Sequence, residues 1–201
     1  MGANIGYYAL MPPSMLDYVH VIAIEPEEKN IINLRKNVKM NRYNDKVSIV
    51  HCAAGNEQTT AEIHLSTHSN RHSLQSEFKN KNQNIVSDSV EIDVRPLDDI
   101  VKDAGLDPAD VDVVRMDVEG YEAKIFGGMS EILSSSDSIL LQIELHPNLL
   151  SDEEMDYLFT TINQGDIEIL SAARGRDDDS IKSLEEIRNW NFAELVLMFE
   201  N

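Results

Sequence analysis

The chain has a single cysteine, Cys52, among its 201 residues. An internal disulfide framework is thereby excluded, and a cysteine-based zinc cluster is not expected. It has no apolar run near the ~20 residues that a membrane span requires. The longest apolar stretches, 139–145 and 195–199, have the length of strands. No basic segment followed by a long apolar core stands at the start, so no signal peptide is expected and the cytoplasm is the expected compartment. Positive charge is scarce: 17 Lys and Arg stand against 36 Asp and Glu, a formal net charge of −19. Such a surface repels phosphate backbones, so neither nucleic acid nor a membrane is an expected partner. The acids are spread along the chain, which reads as a well-solvated surface or as an adaptation to high salt. No internal repeat is visible.

What is present suits one domain spanning 1–201, with 42% hydrophobic residues and enough chain to bury a core. Residues 19–25 read as a buried strand ending in an acid. Pro26 stops it, and the acids behind it open a helix to Asn41 with Ile31, Leu34, Val38 and Met40 on its apolar face. Residues 46–51 are a second strand, completing a strand–helix–strand unit of a parallel sheet. His51 and Cys52 at its end read as core packing. Residues 60–65 and 89–94 alternate with period two, as strands of a more exposed region do. Between them, 66–87 is a long polar loop, either a substrate-facing lid or disorder. A short helix is expected over 96–104, a strong strand over 111–117 and a helix over 121–133. Another strand is expected over 138–145, and a helix through Ile162 opened by a Ser151–Glu154 capping box. Strands at 167–170 and 194–199 close the domain around a charged turn at 174–180.

Four motifs could carry chemistry. Gly2 and Gly6 frame Ala3-Asn4-Ile5, which lacks the Gly-x-Gly-x-x-Gly of a dinucleotide loop and on its own favours an ordinary turn before a helix. Glu25 ends the next strand, 19 positions after Gly6, about where a carboxylate holds a pair of ribose hydroxyls. Loop and acid together point to a ribose-bearing cofactor. Asp117 and Glu119 follow a buried strand, in the region outside strand ends where ligands bind in parallel sheets. Helix capping by Asp117, with Glu119 and Glu122 suiting the dipole, is the alternative. Glu144 and His146 end the next strand and share a face, so an imidazole with a carboxylate neighbour could act as a general base. The alternative is a structural histidine before Pro147. His64, His68 and His72 recur every four residues, but in a strand and a polar loop no metal site follows, and no metal is expected.

The runs Gly2-Ala3-Asn4-Ile5-Gly6-Tyr7-Tyr8, Ile22-Ala23-Ile24-Glu25-Pro26, Met116-Asp117-Val118-Glu119-Gly120-Tyr121-Glu122 and Ile143-Glu144-Leu145-His146-Pro147 resemble the FkbM family of S-adenosylmethionine-dependent methyltransferases. Arg95-Pro96-Leu97-Asp98-Asp99 resembles the family segment before the Asp-Val-Glu-Gly strand. The resemblance implies an α/β, Rossmann-like class I methyltransferase fold: a seven-stranded, mostly parallel sheet with helices on both faces and a reversed C-terminal strand. In the family a strand ending in an acid precedes the glycine loop. That position falls before Met1, so the domain is expected to lack the usual first strand. The resemblance further implies S-adenosylmethionine as cofactor, with Gly2, Asn4 and Gly6 along its methionine part, Glu25 on the ribose and Ala53 near the adenine. It implies Asp117 beside the transferred methyl, Glu144 and His146 toward the acceptor, and a small-molecule or sugar hydroxyl as that acceptor, whose proton makes His146, Asp117 and Glu119 the candidate bases. Two other readings remain: an inactive remnant or binding module of the same fold, and, less favoured by the glycine spacing, a nucleotide-dependent oxidoreductase. Oligomeric state is not fixed by any of these.

Overall fold

The structure, a computed structural model, describes residues 1–66, 86–164, 167–173 and 184–200. Strand β1 (Val21–Ile24) leads through helix α2 (Glu28–Asn41) into β2 (Val47–Val50), and the two strands pair in parallel, Val21 opposite Val47. Pro26 ends the strand. Glu27 then caps the helix, its side chain accepting the Asn30 N–H at 2.7 Å. The helix stops at Arg42, whose φ of 62° breaks the helical path. Helix α1 (Tyr7–Met15) precedes this unit. Ala9 of α1 and Ile31, Leu34 and Val38 of α2 pack with Ala23 and Val47 in one apolar cluster. The neighbouring Ile24 belongs to the main core instead. Alternate residues of β1 are thus buried on opposite faces, as a strand between two layers requires.

Among the described residues, the strands form three sheets rather than the expected single one. The second sheet joins β3 (Ala53–Gly55), β4 (Thr59–Ser66) and β5 (Val86–Pro96), with β4 antiparallel and β3 parallel to β5. The third has the order β6-β7-β9-β8, built from β6 (Val113–Asp117), β7 (Ser138–Leu145), β8 (Ile167–Ala173) and β9 (Ala193–Glu200). β6 and β7 are parallel, and β9 runs antiparallel to both β7 and β8, which gives the expected reversed final strand. β1 and β6 are not paired with each other. Residues 1–3 lie between them: the Met1 amine donates to the Arg115 carbonyl at 2.6 Å, and the Ala3 N–H to the Ile24 carbonyl at 3.0 Å. The division of the sheet falls at this place.

Helix α3 (Leu97–Asp103) lies where expected. The expected helix over 121–133 is instead two short ones, α4 (Glu122–Gly127) and α5 (Ser130–Ser135). The break is at Gly128, whose α-carbon faces the Gly55 carbonyl so closely that an added Cβ would stand 1.8 Å from that oxygen. The buried Asp98 carboxylate of α3 then accepts the Glu131 and Ile132 N–H groups at 3.0 and 3.1 Å, capping α5 from outside its own segment. Ile125, Met129, Ile132 and Leu133 nonetheless face the core as expected. Helix α6 (Asp152–Gln164) carries the expected capping box, with Ser151 N–H on Glu154 and Glu154 N–H on the Ser151 hydroxyl. A last short helix, α7 (Leu184–Ile187), precedes β9. Cys52 is in the core, whereas His51 is not: it is exposed, against the Pro26 carbonyl and Glu28. Apart from its strand-forming ends, the expected polar loop over 66–87 lies outside the described residues, as do 174–180, His68 and His72. No helix among the described residues is long and apolar enough to cross a membrane.

Candidate functional site

A cavity of about 360 Å³ opens at the C-terminal ends of β1 and β6, within the usual size of small-molecule sites. One wall is the glycine loop. Gly2 has φ +67°, and a Cβ there would stand 2.0 Å from the Asp117 carbonyl oxygen, so no larger residue fits between loop and strand end. Asn4 also has a positive φ, 49°. Gly6 closes a turn by donating to the Ala3 carbonyl at 2.9 Å and starts α1. Its α-carbon packs on Leu34, so Gly6 shapes the loop from behind and does not line the cavity.

Glu25 forms the second wall. It is only 4% exposed, and its carboxylate organises the loop. Oε2 accepts the Asn4 N–H at 2.7 Å, and Oε1 accepts the Glu27 N–H at 3.0 Å and the Asn30 amide at 3.1 Å. Cys52, Ala53 and Ala54, buried small residues, make the floor. Burial pushes the Cys52 thiol up to about 11, against a lowering influence of Arg95.

Asp117, Val118 and Glu119 complete the rim. Glu119 adopts φ +50° and Gly120 φ +94°, a turn that L-residues rarely take. The Gly120 N–H donates to Glu122 at 3.1 Å. Glu122 is fully buried, and its Oε1 also lies 3.0 Å from His146 Nδ1. A carboxylate only accepts, so Nδ1 carries the proton. Nε2 stands 3.7 Å from Glu119. Donor atoms of Asp117, Glu119 and His146 all lie within 4.8 Å of one another. Burial alone would lower the His146 pKa; the hydrogen bond to Glu122 and the charges of Glu122, Glu119 and Asp117 outweigh it and raise it.

Glu144 sits apart from this group. β6 and β7 run in register with Asp117 opposite Glu144, and Arg115 Nη2 pairs with Glu144 and lies 3.4 Å from Asp117. Burial, then the charge of Asp117, raises the Glu144 pKa despite Arg115. The Arg115 guanidinium also lies 3.7 Å over the Tyr8 ring, so α1 is fastened to β6 at the cavity edge. Gly2, Asn4, Glu25, Ala53, Asp117 and Glu119 therefore share one cavity. Glu144 and His146 stand behind it, each in contact with a lining residue. Arg115, Tyr8, Asn30 and the anchoring role of Glu122 escape sequence reasoning. A charged Arg115 inside the buried run Val-Val-Arg-Met-Asp is the signal that could have found the first.

The model of the methyltransferase FkbM domain matches residues 1–190. The chain belongs to the FkbM methyltransferase domain family. Among solved structures, it is similar to the methyltransferase FkbM from Methylobacillus flagellatus KT, with 19% identity and a TM-score of 0.57 over 98% of this chain and 41% of that one. It is also similar to the precorrin-6Y C5,15-methyltransferase from Geobacter metallireducens GS-15, with 9% identity and a TM-score of 0.47 over 100% and 78% of the two chains. No curated protein sequence matches it. This FkbM domain thus spans well under half the length of the Methylobacillus protein. The family's α/β fold is the one described above, with helices and strands alternating along the chain.

Proposed function

We propose that this FkbM domain binds S-adenosylmethionine in the cavity at the ends of β1 and β6 and methylates a hydroxyl oxygen of a small molecule or sugar. The observation that carries this reading is the convergence of the glycine loop, the Glu25 carboxylate and Asp117 on one cavity. Its residues fit such a ligand. A buried carboxylate at the end of β1 suits two ribose hydroxyls, Gly2 and Asn4 offer close backbone approach to the methionine part, and Ala53 leaves room for the adenine. Bound there, the cofactor supplies a methyl group activated by its sulfonium.

The chain's own task is alignment and removal of a proton. Transfer would form a C–O bond as the cofactor's C–S bond breaks, and a base at the rim would take the hydroxyl proton. Asp117 and Glu119 stand there, with His146 behind Glu119 and Glu144 behind Asp117. Holding the hydroxyl in line and excluding water supplies most of the acceleration.

Calorimetry with S-adenosylmethionine and S-adenosylhomocysteine tests the cofactor, and transfer of a labelled methyl to a panel of hydroxyl compounds tests the reaction. Micromolar binding of both ligands and an alkali-stable labelled ether are expected. Absence of binding would overturn the cofactor assignment; binding with label only on nitrogen or carbon would overturn the oxygen acceptor.

A further inference from the structure

We propose that Asp117, Glu119 and His146 form a binding site for a divalent metal ion at the rim of the cavity. Their donor atoms already lie within 4.8 Å of one another, with His146 Nε2 3.7 Å from a Glu119 oxygen. Small side-chain rotations bring such a set onto one ion. The ligands come from two neighbouring strands: Asp117 ends β6, Glu119 follows it, and His146 follows β7. Their side chains are 33%, 22% and 14% exposed, so an ion can reach them while the protein still restricts its surroundings.

A separate observation points the same way. Metal-bound histidines characteristically donate their other ring N–H to a carboxylate, which fixes the tautomer and the ring. Here Glu122, fully buried, holds His146 Nδ1 at 3.0 Å and leaves Nε2 on the side of Glu119. Its second oxygen, Oε2, is buried with no hydrogen-bond partner among the described residues. Placing a carboxylate there is costly unless positive charge lies close by. An ion on Nε2 supplies that charge through the ring. The expectation of no metal concerns His64, His68 and His72; the donors here are different ones, brought together just beyond the paired ends of β6 and β7.

One imidazole nitrogen with two carboxylate oxygens suits a Mn²⁺-like ion, which accepts both donor types. Three protein ligands leave coordination positions open. On the proposed methyltransferase reading, on which only this role depends, the acceptor hydroxyl takes one of them. Its proton is then lost more readily, to solvent and not to the three ligating side chains.

The test uses tag-free, metal-stripped full chain with Mn²⁺ alone, followed by loss of the free-ion electron paramagnetic resonance signal in high salt. The salt suppresses loose adsorption to a chain of net charge −19. One tightly held ion per chain is expected. Glu122→Gln should weaken it by roughly 10–100-fold, and Glu119→Gln and His146→Ala should weaken it at least as much. Circular dichroism melts identify any variant that fails to fold, and the remaining variants then decide. An unchanged free-ion signal, or equal binding by wild type and every folded variant, would overturn the site. Mn²⁺ binding without S-adenosylmethionine binding sustains the metal site and overturns the cofactor reading; the reverse result overturns the metal site alone.

Discussion

The carboxylate of Glu25 accepts the backbone N–H of Asn4 across 21 positions of sequence, at 2.7 Å. The acid expected to hold a ribose is thus also the clamp that shapes the glycine loop. Glu25→Gln keeps the size but places an amide where acceptors are needed, opposite Asn4, Glu27 or Asn30. S-adenosylmethionine affinity should fall by about 1–3 kcal/mol, the scale of a lost charged hydrogen bond. Calorimetry checks this, and unchanged affinity would remove Glu25 from the cofactor site.

Gly128 faces the Gly55 carbonyl where α4 gives way to α5. Gly128→Ala would drive a methyl into that oxygen, so the two segments must separate. A loss of about 1–3 kcal/mol is expected, as for overpacked interiors. Urea unfolding measures it. Gly105→Ala is the comparison, because a Cβ there meets nothing within 4 Å and only its φ of +81° opposes the change.

Asp98 caps α5 from α3 through two N–H groups. Asp98→Ala leaves both donors without their acceptor and should cost about 1–2 kcal/mol, as lost caps do. Asp98→Asn, which keeps one carbonyl oxygen, should cost less. Thermal melts of the two variants check the order.

Cys52 should behave as an inert thiol. Its pKa is raised to about 11 by burial, from an ordinary 9. The thiolate is scarce at neutral pH, so iodoacetamide labelling of the native chain should be slower than of the unfolded chain at pH 8. The sign of the stability effect follows. Between pH 9 and 11 the unfolded thiol loses its proton and the folded one keeps it, so this contribution to stability is whole below 9 and falls as pH rises toward 11. Unfolding midpoints across that range, compared with Cys52→Ala, isolate it.

Much of this arrangement is legible in the sequence because the signals are local. Pro26 behind a Val-Ile-Ala-Ile strand marks where Glu25 must stand, and Ser151 with Glu154 marks a helix start by itself. The two-helix break at Gly128 is not legible, because its cause is a contact with Gly55 over seventy positions away. The same holds for Glu122. In sequence it is one more acid in the first turn of a helix, and only the neighbouring strand reveals that it holds His146. Arg115 is a different case: its place inside an apolar strand is visible, but its pairing with Glu144 depends on strand order. Candidate residues could be picked out within their own motifs, and the contacts that join one motif to another through the sheet could not.

The close approach of Gly2 to the Asp117 carbonyl has a consequence for how such a domain changes over time. That separation is set by main-chain atoms on both sides. On the proposed function, exchange of lining side chains would change which acceptor is admitted, while the gap between the glycine loop and the end of β6, fixed by the main chain, would keep its width.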